Sequence, residues 1–154
     1  MKRLTLFSAL AGMGLLCSVP GMAQEKGTWR AASTTAKGVT GDLFFSNQKL
    51  TINFGGGYTI AQIRTLEPAE ANALFNLDSS AGGSGNVYRT SIPAEKKFLH
   101  KNTLCGSEET QWVITYVVGH ELQLAFFSGP AIPVMTPDAV ANATNLCGSY
   151  SYVR

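Results

Sequence analysis

The sequence predicts an all-β, mainly antiparallel domain: a small barrel of eight or nine strands with one or two short helices in its connections. Three observations carry this expectation. Several short segments alternate polar and apolar side chains, most regularly residues 49–54 (KLTINF), and period two is the mark of a half-buried strand. Clusters of Gly, Pro, Asn and Ser separate these segments at short, regular intervals. Helix-forming composition is confined to two stretches that lie between strand candidates. A barrel pairs its first and last strands and so leaves no open edge, which favours it over the alternative, a two-layer sandwich.

The elements follow in order. Residues 27–30 open the first strand and residues 39–45 form the second, followed by Ser46-Asn47-Gln48 as turn chemistry. Residues 49–54 run back, three glycines at 55–57 make a loop, and 58–65 return with Tyr58, Ile60 and Gln62 on one face. Such tight connections require antiparallel pairing. Residues 68–75 (PAEANALF) read as a helix, because Pro68 suits a first helical position and Ala, Glu and Leu are good formers. Residues 78–85 (DSSAGGSG) are a loop, 87–92 a strand, and 98–104 a segment leading back into the sheet. Residues 111–118 and 121–127 are the strongest pair, and Gly119-His120 between them fits a type II′ hairpin. Pro130, Pro133 and Pro137 punctuate a long connection, 138–144 offer one helical turn, and 146–153 form the last strand.

The first 23 residues read as a secretory leader. Lys2 and Arg3 precede thirteen mostly apolar, uncharged residues at 4–16, Pro20-Gly21 break that run, and Gly21 and Ala23 occupy the −3 and −1 positions of a cleavage after Ala23. The apolar run is shorter than the roughly twenty residues that a membrane-spanning helix needs. A lipidated Cys17 is the rival reading, but Leu16 stands where a lipoprotein has a small residue. Removing 23 of 154 residues leaves 131, a single domain over 24–154, and takes two of the twelve basic residues with it. The remaining ten basic and ten acidic residues balance, so the whole chain's charge of +2 belongs to the leader. A neutral domain has no electrostatic footprint for nucleic acid, and no Lys/Arg-studded amphipathic helix argues for stable membrane insertion. The cluster Lys96, Lys97 and Lys101 reads as a solvated face.

Without Cys17 two cysteines remain, Cys105 and Cys147, each inside the tetrapeptide Leu-Cys-Gly-Ser. An even pair in an exported chain reads as a disulfide. Two isolated cysteines without C-x-x-C spacing do not build a zinc site.

Chemistry-bearing patterns are sparse. His100 and His120 lie in loop or turn segments, apart from any acidic or cysteine cluster, so no metal or other cofactor is implied. No G-x-S-x-G elbow precedes a helix, and the glycines of 82–85 serve a loop rather than a phosphate cradle. Glu108 and Glu109 are adjacent and would point to opposite faces of a strand. Asp42, beside Gly41, reads as a turn or barrel-mouth residue. The aromatics are more suggestive. Adjacent strand residues face opposite ways, so Phe44-Phe45 and Phe126-Phe127 each send one ring outward unless a bulge intervenes. Outward rings mark a partner surface, and Phe45, Phe127 and Trp112 are the candidate ligand- or partner-binding residues.

Gly27-Thr28-Trp29 at the first strand resembles the G-x-W of lipocalins, avidin-type barrels and lipocalin-like bacterial protease inhibitors, in which the tryptophan closes one end of the barrel. Arg30 departs from the aromatic that usually follows in lipocalins, and two tryptophans are fewer than avidin-type sites use, so no ligand residue is carried over. The resemblance implies an exported barrel that binds something. The expected function is therefore a periplasmic or secreted, non-catalytic β-barrel that binds a small apolar ligand or an envelope protein. The alternatives are a filled barrel acting as an interaction or protease-inhibitor-type protein, and a small hydrolase in which Asp42 or Glu108 meets a histidine.

Overall fold

Alternating burial along the strands sets the architecture in the computed structural model, which describes residues 24–78 and 82–154. The expected leader, with its cleavage after Ala23 and the rival Cys17, lies outside the described residues, as do positions 79–81 of the 78–85 loop. The strands are β1 (Gly27–Ala31), β2 (Leu43–Ser46), β3 (Lys49–Ile52), β4 (Gly57–Thr59), β5 (Ala61–Thr65), β6 (Ser84–Ile92), β7 (Thr110–Val118), β8 (Glu121–Ser128) and β9 (Leu146–Val153). They form one nine-stranded sheet in the order β4-β3-β2-β1-β9-β8-β7-β6-β5, antiparallel throughout. The all-β expectation holds. Between β7 and β8 the positive φ is confined to Gly119 (58°), as a II′ turn requires.

Two strands change partners along their length. In β1, Gly27 to Trp29 pair with β2, whereas Arg30 and Ala31 pair with β9. The return strand expected at 58–65 is divided at Ile60. Its first part, β4, pairs with β3 at one end of the sheet order, and its second, β5, pairs with β6 at the other. Ile60 is buried in the core and its N–H bonds to Gln48 O at 3.0 Å. Thr90 Oγ1 of β6 reaches across to Thr59 O of β4 at 2.9 Å.

Other expected strands are corrected. Residues 36–40 of the chain leading into β2 form a single π-helical turn (Ala36–Thr40), closed by Gly41 N–H to Ala36 O at 2.8 Å. Gly41 has φ 64°, so extended structure starts only at Leu43. The segment expected to re-enter the sheet at 98–104 is instead a tight turn containing a 3₁₀ element (Leu99–Lys101). His100 and Lys101 have φ of 54° and 62°, and a left-handed backbone cannot continue a strand.

Inner-facing side chains of the whole sheet, among them Trp29, Leu43, Phe45, Tyr88, Phe126 and Tyr152, converge in one buried cluster. The other face of β6–β8 is buried as well. Trp112, Ile114, Ala125 and Phe127 pack there beneath Ala71 and Leu74 of helix α1 (Pro68–Phe75), together with Met135. Helix α1 has the bounds the sequence predicts. A reciprocal Glu67–Glu70 capping box and Pro68 start it, and Asn76, left-handed at φ 52°, stops it. A second short helix, α2 (Pro137–Ala141), is capped by Thr136 and packs beside α1. Cys105 and Cys147 form the expected disulfide, with Cα atoms 4.8 Å apart, and clamp the β6–β7 connection to the start of β9.

Glycine substitutions separate close packing from free space. A Cβ on Gly85 would lie 2.0 Å from Thr115 O, a backbone atom that cannot step aside, whereas one on Gly38 would meet nothing within 4 Å. Gly85→Ala is expected to destabilise by about 2–3 kcal/mol. Gly38→Ala is expected to stabilise by about 0.4–1 kcal/mol through the unfolded chain. Denaturant melts of both variants check the pair. Reducing the disulfide, which spans 42 positions, is expected to cost roughly 4 kcal/mol in the same assay.

Candidate functional site

The two ends of the strands differ in chemistry. At the end where β1 begins, Glu25 turns inward and is 3% exposed. Its carboxylate accepts hydrogen bonds from Asn86 Nδ2 (3.0 Å), from the Tyr88 hydroxyl and from Thr115 Oγ1. The strand period explains the convergence. Asn86 and Tyr88 are two apart on β6 and share a face, and Thr115 of β7 stands directly opposite Asn86. Gln62 Nε2 donates to Asn86 Oδ1 at 2.7 Å, which turns the Asn86 amide nitrogen toward the carboxylate. All three donors to Glu25 are neutral, so hydrogen bonds satisfy its buried side-chain oxygens.

The main chain seals the same end. Trp29 Nε1 donates to Glu25 O at 2.8 Å, and the Arg154 guanidinium lies 4.3 Å from the Trp29 ring centroid. Arg154 Nη1 also donates to Lys26 O at 3.2 Å. Burial, followed by the charge of Glu25 and its hydrogen bond, pushes the Tyr88 phenol far above its usual value. Burial does the same to Tyr152, whose hydroxyl lies 2.6 Å from Thr40 Oγ1. The bonds of Glu25 and Lys26 to Trp29, Asn86, Tyr88, Thr115 and Arg154 hold the chain before β1 across this end.

The opposite end is open and under-bonded. The β3–β4 loop (53–56) and residues 96–99 of the β6–β7 connection enclose a pocket of about 170 Å³. Asn53 and Phe54 take left-handed φ of 49° and 53°, which folds the loop tightly, and the Phe54 ring on that loop is 75% exposed. Tyr58 of β4 packs its ring against Phe98, centroids 6.3 Å apart. Its hydroxyl oxygen is shielded from solvent yet has no hydrogen-bond partner among the described residues. Burial raises the Tyr58 pKa. Lys96 and Lys97 line the pocket, are exposed, and have no ion-pair partner among the described residues.

The residues singled out from sequence fall elsewhere. Phe45 and Phe127 are 2% and 1% exposed and Trp112 is 4% exposed, so none is a surface ring. Phe45 faces the main core and Phe44 is the outward ring of that pair. Phe127 and Trp112 do face outward from the sheet, but α1 and the chain around Met135 cover them. Trp112 Nε1 donates to Gly129 O at 2.9 Å and Arg89 lies over its ring. Asp42 Oδ1 accepts from Ala31 N at 2.9 Å, finishing the β1 edge. Glu108 and Glu109 lie in the turn before β7 rather than on a strand, and accept from the hydroxyls of Ser128 (2.8 Å) and Ser91 (2.5 Å). Neither Asp42 nor Glu108 bonds a histidine. His120 occupies the β7–β8 turn and its carbonyl accepts Arg154 N at 3.0 Å. No group of three or more His, Cys, Asp or Glu suited to a metal occurs among the described residues. No helix among them is long and apolar enough to cross a membrane.

Glu25 and Tyr58 were not singled out from sequence. The alternation of Asn86 and Tyr88 placed two polar groups on one inward face, a signal that some buried partner must satisfy them. Nothing local marks Glu25 as that partner.

Two outcomes test these buried polar groups. Glu25→Ala strands three donors in the interior and is expected to destabilise by about 2–4 kcal/mol in a denaturant melt. The phenols of Tyr88, Tyr150 and Tyr152 are raised from 10.0 by burial, so their contribution to stability is complete below that pH. It is lost as pH rises beyond 10 toward the folded values. A titration followed by phenolate absorbance and circular dichroism should show these tyrosines ionising only as the β signal collapses. Ionisation of all five tyrosines near pH 10 with the fold intact would contradict it.

No family model, no curated protein and no solved structure matches this chain.

Proposed function

We propose that the chain is an exported, non-catalytic β-barrel that binds a partner through the loops at one end, with its interior filled. The observation that carries this reading is the contrast between the ends. One is sealed by Glu25, Trp29 and Arg154, and the other carries the pocket beside Tyr58 and the exposed Phe54. The barrel reading rests on β4 and β5, which lie at opposite ends of the sheet order but are separated by Ile60 alone. Trp29 near the sealed end fits the role that the G-x-W resemblance implies. Between the binding readings, the filled form is favoured over an apolar-ligand cavity because large side chains such as Trp29, Phe126 and Tyr152 occupy the space between the inner faces. The small-hydrolase reading has no support in the placement of Asp42 and Glu108, whose carboxylates hold a backbone amide and a serine.

The disulfide fits an oxidising compartment, periplasmic or secreted. Export through the leader of residues 1–23 completes the proposal.

The test is recovery of bound material from the native exported fraction, identified by mass spectrometry, with Phe54→Arg and His120→Ala as a pair. Loss of an aromatic anchor is expected to weaken capture about tenfold or more, and a change at the sealed end should leave it unaltered. Equal capture by both variants, or an apolar small molecule extracted from inside the protein, would overturn the reading.

A further inference from the structure

The pocket at the open end has a chemistry of its own. Tyr58 presents a shielded hydroxyl without a partner among the described residues, and such a donor is costly unless something accepts from it. A Cβ built on Gly56 would stand 3.6 Å from the Tyr58 hydroxyl and 4.0 Å from Lys96 Nζ, so both groups border the same space beside that residue. Lys97 lines the pocket too. The nearest acidic residue in sequence, Glu95, lines the neighbouring depression, where it shares Lys97 with Ala94, Thr103, Gly106 and Ser107. Lys97 thus borders both spaces, while Lys96 lines the pocket beside Tyr58. Ile52, Phe98 and Leu99 supply an apolar wall, which lowers the local dielectric and strengthens any ionic contact made there.

From this we infer that the pocket between residues 52–58 and 96–99 is a binding site for a phosphate group, taken as the free ion or on a headgroup. Tyr58 and the two lysines all donate, so the complementary group is an acceptor-only oxyanion. Two ammonium groups favour a phosphate over a singly charged carboxylate. The inference rests on the reading of this end as the binding end and adds the chemical class of what binds.

Two substitutions test it without endangering the fold. Tyr58→Phe removes a hydroxyl that bonds nothing among the described residues. Gly56→Ala adds a methyl at ordinary contact distances, at a residue without a left-handed φ. The experiment titrates inorganic phosphate into the full mature chain at constant ionic strength, followed by amide chemical shifts and thermal melting. The expected result is a saturable shift confined to 52–58 and 96–99, with binding weakened about tenfold by Tyr58→Phe, by Gly56→Ala and by Lys96→Gln. Both Tyr58→Phe and Gly56→Ala should melt no lower than the wild type without phosphate. Vesicles containing phosphatidic acid replace the free ion in a parallel arm, and binding there alone would place the phosphate on a lipid headgroup. Absence of saturation in both arms overturns the inference, as does equal binding of acetate or an unchanged response in Tyr58→Phe. Such a failure alongside Phe54-dependent partner capture would sink the phosphate class alone and leave the binding end standing.

Discussion

A single run of chain, Gly57 to Thr65, supplies both edges of the sheet, and the rest of the fold is arranged around that constraint. Its pivot is Ile60, whose side chain enters the core while its amide reaches back to Gln48. A run this short cannot span two distant edges, so the sheet coils enough to set β4 beside β6. That coiling brings the inner faces of β1–β3 and β6–β9 together over one apolar cluster. It also sets the character of the edges. β4 has three residues, β5 is interrupted by a bulge at Ile63, and Arg64 beyond it is tied to Glu70 at 2.7 Å. Short, bulged and charged edges resist pairing with another chain.

Coiling a sheet leaves two ends to be finished, and the chain finishes them by different means. At one end it uses polar saturation. The buried carboxylate of Glu25 draws on β6 and β7, Trp29 reaches the carbonyl of the same residue, and Arg154 of the final position covers the indole. First and last strands are therefore joined by side chains as well as by the Arg30–Val153 pairing. At the other end it uses covalent restraint. The 93–109 connection contains left-handed residues and little regular structure, and the disulfide to Cys147 fixes where it lies. Restraint by a cross-link leaves polar groups free to face outward, which saturation does not.

Much of the fold was legible in residues whose signal is local. Pro68 and the Ala, Glu and Leu that follow define α1 because capping and propensity act within one helix, and Gly119-His120 defines a hairpin because turn geometry acts within four residues. The misses share a cause. Residues 39–45 and 98–104 carry strand-like composition, but Gly41 and the left-handed His100 and Lys101 answer to packing between distant segments, as Asn102 Nδ2 bonding Gly38 O at 3.1 Å shows. Phe127 and Trp112 point away from the sheet as alternation requires. Whether an outward ring meets solvent or a helix depends on where α1 folds back, and period two is silent on that. The division at Ile60 is of the same kind, since both halves read as one strand until their partners are known.

The candidate site was the least legible part, and the comparison of two oxygens explains why. The Glu25 carboxylate and the Tyr58 hydroxyl are both shielded from water, and neither position stands out in a sequence of alternating strands. They differ in what surrounds them: one accepts from three donors, and the other meets no partner among the described residues. A shielded group that is satisfied has its purpose in the fold. One that is not satisfied imposes a cost on the fold, and a fold of marginal stability tolerates such a cost where something else offsets it. Tyr58 bears that cost beside an ammonium that no carboxylate among the described residues neutralises, next to Gly56. The unfinished bonding at this end, more than any residue type along the chain, is what points to a ligand.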